Sequence, residues 1–456
     1  MTLAQPSPSL NGATQQSAHR GEEPRPSIPH GVADYFWGEA YARKRLEHRL
    51  LARFRTWGYQ DVIPPMFEYT ETFEQGASSS LRAEMYRFLD RDGSTLALRP
   101  DMTIPVARLV GVRLHDRPMP QRFCYAGSVF RYAAPQAGRQ REFTQTGFEL
   151  IGAAGPAADA EVMALTIDAV RTAGIADFRL AVGHMGYFNG LLQELQLAPA
   201  QTATLLAAID RNSQPELAQF LRETPLRTQQ RRAIEELPRL SGADPTAILD
   251  HAERLCLNYA MHRALSNLRR IIESLQAYDA DRFVYLDLTE IHNLGYYTGI
   301  TFEVLVPGLG FPVGSGGRYD NLVAAFGADH PAVGVALGID RILVAQRQTD
   351  PLALLATTAH PHLYVVASGN ASALMQVNAW RQRGLRVVVA VEDQSGRDLL
   401  EAARRQGAAL ALEWRDAAIW GVDLRGPVEN ELRPFNRDEL ERLISQFTPD
   451  LPTPRP

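Results

Sequence analysis

The sequence predicts an α+β protein in two folded parts. Three observations carry this. Alternating apolar runs such as "GSVFRY" and "REFTQTGFELI" follow one another with no helix between them, the pattern of antiparallel pairing. From about 190 to 280 the pattern is helical and strand signals disappear. After residue 360 strand and helix patterns alternate, which argues for a small α/β unit with a largely parallel sheet.

Residues 1–28 are rich in Ser, Gln and Pro and carry no apolar core, so they read as a disordered lead-in and not as a signal peptide. The main unit then spans 29–348. Leu46, Leu50, Leu51 and Phe54 fall at helical spacing, with Gly58 as a stop. "YQDVIPPMFEY" is extended and broken by proline, "STLALRP" is a short strand, and "DMTIPVARLVGVRL" is a helix opened by Asp101. A hairpin over 127–151 follows, then a helix near 158–173 and the strand "DFRLAVGH". Beyond the helical insertion, strands resume with "RFVYLDL", "YTGITFEVLV" and "FPVGSGGRY" before a helix near 338–348. Residues 349–360 read as a linker, 361–447 as the α/β unit, and 448–456 as a disordered tail.

Composition narrows the function classes. Hydrophobic content of 45% and charge of 22% exclude wholesale disorder. No run approaches the twenty apolar residues of a membrane span. Cys124 and Cys256 are too few and too isolated in sequence for a disulfide framework or a metal cluster, which fits a cytoplasmic protein without a metal. A net charge of −5 gives no general attraction to nucleic acid. Lys44 is the single lysine; so uniform an arginine bias reads as genome composition before it reads as phosphate recognition.

Four stretches could carry chemistry. In the hairpin, Tyr125, Gly127, Val129 and Arg131 share a face, as do Phe143, Gln145, Gly147 and Glu149 on the return. Mid-strand glycines weaken a sheet unless something approaches the backbone closely, so a ligand over Gly127 and Gly147 would meet Arg131, Gln145 and Glu149. An exposed face with polar decoration is the alternative. In "LRPDMT", Asp101 either caps the following helix or pairs with a ligand ammonium. Tyr296 and Tyr297 put a phenol on each strand face, with Gly299 clearing space; such pairs also serve as packing. His292 reads as a structural histidine or as an acid or base. "VGSGGRYDNLVAAFG" opens a helix, but it lacks both the Gly-Lys-Ser/Thr and the dinucleotide spacing of phosphate loops.

Together these segments resemble the catalytic core of histidyl-tRNA synthetase, a class II synthetase, over roughly residues 30–345. "FRYAAPQAGRQREFTQTGFELIG" is similar to its second class motif, "AVGVALGIDRIL" to its third, and "NLGYYTGITFEV" to its histidine-specific segment. The resemblance implies a six-stranded antiparallel sheet with flanking helices, dimeric through residues 35–70. It implies a histidine pocket at Asp101, Thr103, Gln145, Glu149, Tyr296 and Tyr297, and phosphate contacts at Arg131 and Arg341.

The departures change the expected function. Ala133 stands where the synthetase has an acidic residue, His292 where it has an arginine that stabilises charge during adenylate formation, Gly295 where it has an aspartate, and Asp101 where it has glutamate. Losing charges aimed at a transition state removes turnover before it removes binding. In this respect the chain is similar to a paralogous group, the regulatory subunits of ATP phosphoribosyltransferase. That resemblance implies no catalytic residue, no cofactor, histidine as effector, and assembly with a short catalytic phosphoribosyltransferase. The enzyme alternative is a divergent histidyl-tRNA synthetase, and a free-standing histidine sensor is a third reading. Residues 361–447 resemble an anticodon-binding domain in element order, but 12 Arg against 13 Asp plus Glu from 361 to 456 make them unlike a basic tRNA-binding surface.

Overall fold

A computed structural model describes residues 27–132, 140–211, 213–289, 296–349, 360–367, 369–415, 418–426 and 431–447. Ala133, His292 and Gly295, the lead-in up to 26, the linker over 350–359 and the tail from 448 lie outside them. The chain divides into two compact units. One holds the described residues up to Asp34 together with Arg49–Ile342, and the other holds Tyr35–His48 with the described residues from Leu343 onward.

In chain order the elements are α1 (Trp37–Thr56), β1 (Gln60–Asp61), β2 (Phe67–Tyr69), α2 (Thr70–Gly76), α3 (Ser79–Ala83), β3 (Arg87–Leu89), β4 (Thr95–Leu98) and α4 (Thr103–Leu109). The hairpin strands β5 (Gln121–Phe130) and β6 (Glu142–Ile151) precede α5 (Pro156–Thr172) and β7 (Arg179–His184). The insertion comprises α6 (Met185–Leu195), α7 (Pro199–Asp210), α8 (Gln214–Glu223), α9 (Thr228–Glu236), a two-residue β8 (Ser241–Gly242), α10 (Pro245–Glu253) and α11 (Tyr259–Ala277). Then come β9 (Val284–Asp287), β10 (Ile300–Leu305), β11 (Gly314–Arg318), β12 (Ala332–Gly338) and α12 (Ile339–Thr349).

The large sheet runs β1-β5-β6-β12-β11-β10-β7-β9-β8. Its middle six strands, β5 to β7 in that order, pair antiparallel throughout, while β1 and β9 join in parallel. Tyr125 opposes Gly147, Gly127 opposes Gln145 and Val129 opposes Phe143, so the two hairpin faces are those read from alternation. Even-numbered β6 residues point the other way. There Phe148 is fully buried, its ring 4.9 Å from Phe54 of α1 and 5.1 Å from Tyr59. The chain reverses after α1 at Gly58, whose φ of 85° favours glycine.

Several expectations need correction. Gly127 and Gly147 do not clear a floor for a ligand. A Cβ at Gly127 would meet the Arg99 guanidinium, which is tied to the Ser128 and Pro64 carbonyls at 2.7 and 2.9 Å; one at Gly147 would meet the Tyr125 hydroxyl and the Val335 carbonyl. The glycine-rich stretch does not open a helix. It forms β11 and, after a turn, a single 3-10 turn at Ala324–Phe326, because β11 is an interior strand that needs close backbone approach on both sides. Strand β12 had no alternating signature, being apolar or glycine on both faces. The helix after Asp101 begins at Thr103 and widens into a π turn over Val110–Leu114.

In the second unit β13 (Leu363–Val366), α13 (Ala371–Gln382), β14 (Val387–Val389), α14 (Gly396–Arg405) and β15 (Leu410–Arg415) form the alternating part. Strands β16 (Ala418–Asp423) and β17 (Arg433–Phe435) then extend the sheet antiparallel, followed by α15 (Arg437–Ile444). The sheet is thus mixed, not largely parallel, since these last strands return without a crossover helix. Leu363, Val365 and Leu410 pack with Trp380 and Leu440 on one face, while Tyr364, Val366 and Ala411 pack with Leu399 and Leu400 on the other. Packing of Val387 and Val389 on one face and of Val388 and Ala390 on the other explains the continuous apolar run "VVVA".

Phe148→Ala removes the ring that joins the large sheet to its helical layer. We expect it to lower the unfolding free energy of the first unit by about 3–5 kcal/mol, read by denaturant titration.

Candidate functional site

Opposite the Phe148 face, one cavity is lined by Asp101, Thr103, Arg131, Gln145, Tyr296 and Tyr297, together with Ser315, Tyr319 and backbone of Gly334–Ala336. Six separate chain segments contribute. Of the sequence-derived pocket residues, Glu149 does not reach the cavity surface; it lies fully buried beneath it.

Glu149 is the most constrained side chain of the site. Its Oε1 accepts hydrogen bonds from Thr103 Oγ1 and the Tyr125 hydroxyl, both at 2.9 Å, and Oε2 accepts one from the Tyr319 hydroxyl. Directly across the ladder stands Gly334, where any Cβ would overlap Oε2. Burial pushes the Glu149 carboxyl up to about 7 from an ordinary 4.5, and the donated hydroxyl bonds only partly offset that effect. Burial also raises the Tyr125 and Tyr319 phenols well above their usual range, with the Glu149 charge adding to it.

Asp101 takes the first of the two roles the sequence left open. Its Oδ1 accepts from Ile104 N at 3.0 Å, capping α4, while Oδ2 is buried with no protein partner. Burial raises this carboxyl, against the pull of the Ile104 N–H and the Arg131 charge. The Gln145 amide oxygen is likewise buried and unpartnered. Two orphaned acceptors in one cavity carry a desolvation cost that a donor-rich ligand would remove.

Tyr296 and Tyr297 precede β10 in irregular backbone, so strand alternation does not separate them. Their rings meet edge to face at 4.9 Å, and Tyr319 meets Tyr296 at 5.8 Å, giving the cavity an aromatic wall. The glycine that makes room for Tyr297 is Gly317 across the sheet, where a Cβ would stand 2.9 Å from the ring; Gly299 instead faces Arg318.

Arg131 donates from Nε to the Pro100 carbonyl at 2.8 Å, which fixes its direction. It lines a second, adjoining cavity with Phe143, Gln145, Ser315 and Arg341. Arg341 donates to the Pro312 carbonyl at 2.8 Å and lies over the Phe311 ring. The two arginines predicted as anion contacts therefore share one cavity wall beside the acidic one. Sequence reasoning missed Ser315 and Tyr319 as lining residues and Tyr125 as a donor to Glu149. Only the strand order β6-β12-β11, which crosses almost two hundred residues of chain, brings Ser315 and Tyr319 to the site, whereas Tyr125 stands beside Glu149 on the hairpin itself.

Comparison with known proteins places this architecture. The histidyl-tRNA synthetase family model matches residues 31–342. The histidyl-tRNA synthetase of Nostoc sp. PCC 7120 has the same fold, with a TM-score of 0.76 over 92% of this chain and 99% of that one, at 21% identity. The fold is thus that of a class II synthetase-like protein. The ATP phosphoribosyltransferase regulatory subunit of Moorella thermoacetica is 41% identical over 85% of this chain and 97% of its own length, and that of Symbiobacterium thermophilum is 40% identical over 85% and 96%. A solved structure from Bacillus halodurans, described as an ATP phosphoribosyltransferase regulatory subunit/histidyl-tRNA synthetase, is 29% identical with a TM-score of 0.73, covering 84% of this chain and 97% of that one. The chain belongs to the ATP phosphoribosyltransferase regulatory subunit family.

The Glu149 environment makes a pH prediction. The folded carboxyl keeps its proton to a higher pH than the unfolded one, so its contribution to stability is full below 4.5 and is lost as pH rises through about 7. That displacement corresponds to roughly 3 kcal/mol. Glu149→Gln cannot ionise and should flatten the fall in stability between pH 4.5 and 7.5, whatever it does to the overall level. Denaturant midpoints measured across that range check it.

Proposed function

We propose that this chain acts as the regulatory subunit of ATP phosphoribosyltransferase in histidine biosynthesis, without catalytic activity of its own, and that free histidine is the effector bound in the Asp101 cavity. Family membership supports the first part. The observation that carries the second is the pair of buried, unpartnered acceptors, Asp101 Oδ2 and Gln145 Oε1, beside Arg131. An α-amino acid meets both needs: its ammonium satisfies the acceptors and its carboxylate pairs with the guanidinium. An imidazole would then lie against Tyr297 and Tyr319, the latter already bonded to Glu149. In the adjoining cavity, Arg131 and Arg341 favour an anionic group.

Regulation from this site needs a coupling free energy to the catalytic subunit, typically about 1–3 kcal/mol, and two arrangements that histidine binds unequally. The coupling is reciprocal, so a substrate of the catalytic subunit shifts histidine affinity by the same factor that histidine shifts its own. Self-association through the segment around 35–70 is supported by the apolar residues exposed at Ile63, Met66, Phe67 and Tyr69, with Phe88 and Leu89 on the same small sheet. Among the described residues no helix is long and apolar enough to cross a membrane, and we place the assembly in the cytoplasm.

Two measurements test this reading. Calorimetry should show histidine binding that Asp101→Ala weakens at least about tenfold, the loss of a charge-assisted pair; the same variant, assembled with a short catalytic subunit, should shift feedback inhibition to higher histidine concentration. Inhibition that stays intact while binding to this chain is lost would move the effector site to the catalytic partner. Histidine-dependent pyrophosphate exchange with ATP should be absent, since Ala133 and His292 lack the charges adenylation uses; exchange near the enzyme median of about 10 per second would instead mark a synthetase.

A further inference from the structure

The helical insertion holds a cluster that the reading above does not use. Glu253 ends α10, Cys256 lies in the turn that follows, and His262 sits in the first turn of α11. A carboxylate oxygen, the thiol sulfur and a ring nitrogen from these three all lie within 4.8 Å of one another. His262 Nδ1 and Glu253 Oε1 are 2.5 Å apart. Cys256, isolated in sequence, is therefore not isolated in space.

We propose that Glu253, Cys256 and His262 form a binding site for a borderline-soft divalent cation of the zinc class, with its remaining position open to water. The donor set argues for this class. Oxygen-seeking cations such as calcium and magnesium do not select a sulfur ligand, whereas zinc takes sulfur, imidazole nitrogen and carboxylate oxygen in one shell. Metal–ligand distances of roughly 2.0–2.3 Å set tetrahedral donors roughly 3.3–3.7 Å apart, so an ion would open the His262–Glu253 contact and hold the three donors nearer one spacing, a change within reach of side-chain rotation. The His262 and Glu253 side chains are 48% and 41% exposed, so an ion can reach them.

The backbone beneath the donors is fixed independently of any ion. Asn258 caps α11 by accepting from Met261 N at 3.1 Å, and its amide donates to the Gly190 carbonyl of α6 at 2.7 Å. Cys256 N donates to the Glu253 carbonyl at 3.3 Å, closing the turn between two of the ligands. A histidine–glutamate pair alone would be an ordinary surface ion pair. The sulfur brought to the same point by a pinned turn is what distinguishes this one.

The test uses the untagged full chain with cobalt(II) and zinc(II) as probes. One equivalent of cobalt should give a thiolate-to-metal charge-transfer band that zinc abolishes. Cys256→Ser should remove the band and weaken zinc binding, and His262→Ala should weaken it by at least about tenfold, since even outer contacts to a metal site are worth 10–100-fold. Cys124→Ser, at a buried position in the large sheet, should change neither. No stoichiometric uptake at micromolar zinc, a band that survives Cys256→Ser, or an unchanged affinity in His262→Ala would overturn the proposal. Because His262 is exposed and caps nothing, His262→Gln keeps the test decisive should the Cys256 variant fail to fold.

Discussion

Everything at the cavity is arranged around one buried carboxyl. Glu149 takes hydroxyl hydrogen bonds from α4, β5 and the segment after β11, so three chain regions are set by a single acceptor group. A buried acid is expensive to maintain, and the cost is contained by complete hydrogen bonding at both oxygens. Thr103 and Tyr319, which line the cavity, are thereby held in position by a residue that does not itself face the ligand space. The pocket's outer surface is fixed from below.

The large sheet keeps its polar and apolar work on opposite faces. Odd-numbered residues of β6 serve the cavity, and Phe148 anchors the other side to aromatic rings from α1 and the segment just after it. Within the cavity a second division holds. Asp101 presents its acceptor to this cavity alone, while Gln145 and Arg131 also line the neighbouring one with Arg341. The zwitterionic ligand proposed would meet an acid and a guanidinium in one lining, and an anion next door would sense its carboxylate through the shared arginine.

Much of this was legible in the sequence where a periodicity of two or 3.6 applies. The hairpin faces followed from alternation, because register fixes which residues share a side. Gln145 and Glu149 could be singled out as polar groups sharing a strand face with a glycine, and Asp101 as the acid that opens a helix. Tyr296 and Tyr297 escaped the same logic, since they lie outside the strand that follows them. Tyr319 and Ser315 were invisible because their partners are distant in the chain. The hairpin glycines misled for a related reason: close approach was real, but the approaching groups were Arg99 and Tyr125, not a ligand. In the insertion, periodicity marked the region as helical and said nothing of what the turns between its helices bring together.

The ladder pairing of Glu149 with Gly334 has a consequence for kindred sequences. A long acid at one position excludes every side chain at the other, so the two sites carry a joint constraint that neither shows alone. Homologous chains should drift there as a pair: glycine preserved opposite glutamate, and a larger residue admitted only where the acid has been shortened or lost. Reading those two letters together then sorts chains that retain the buried acid from chains that have filled its place.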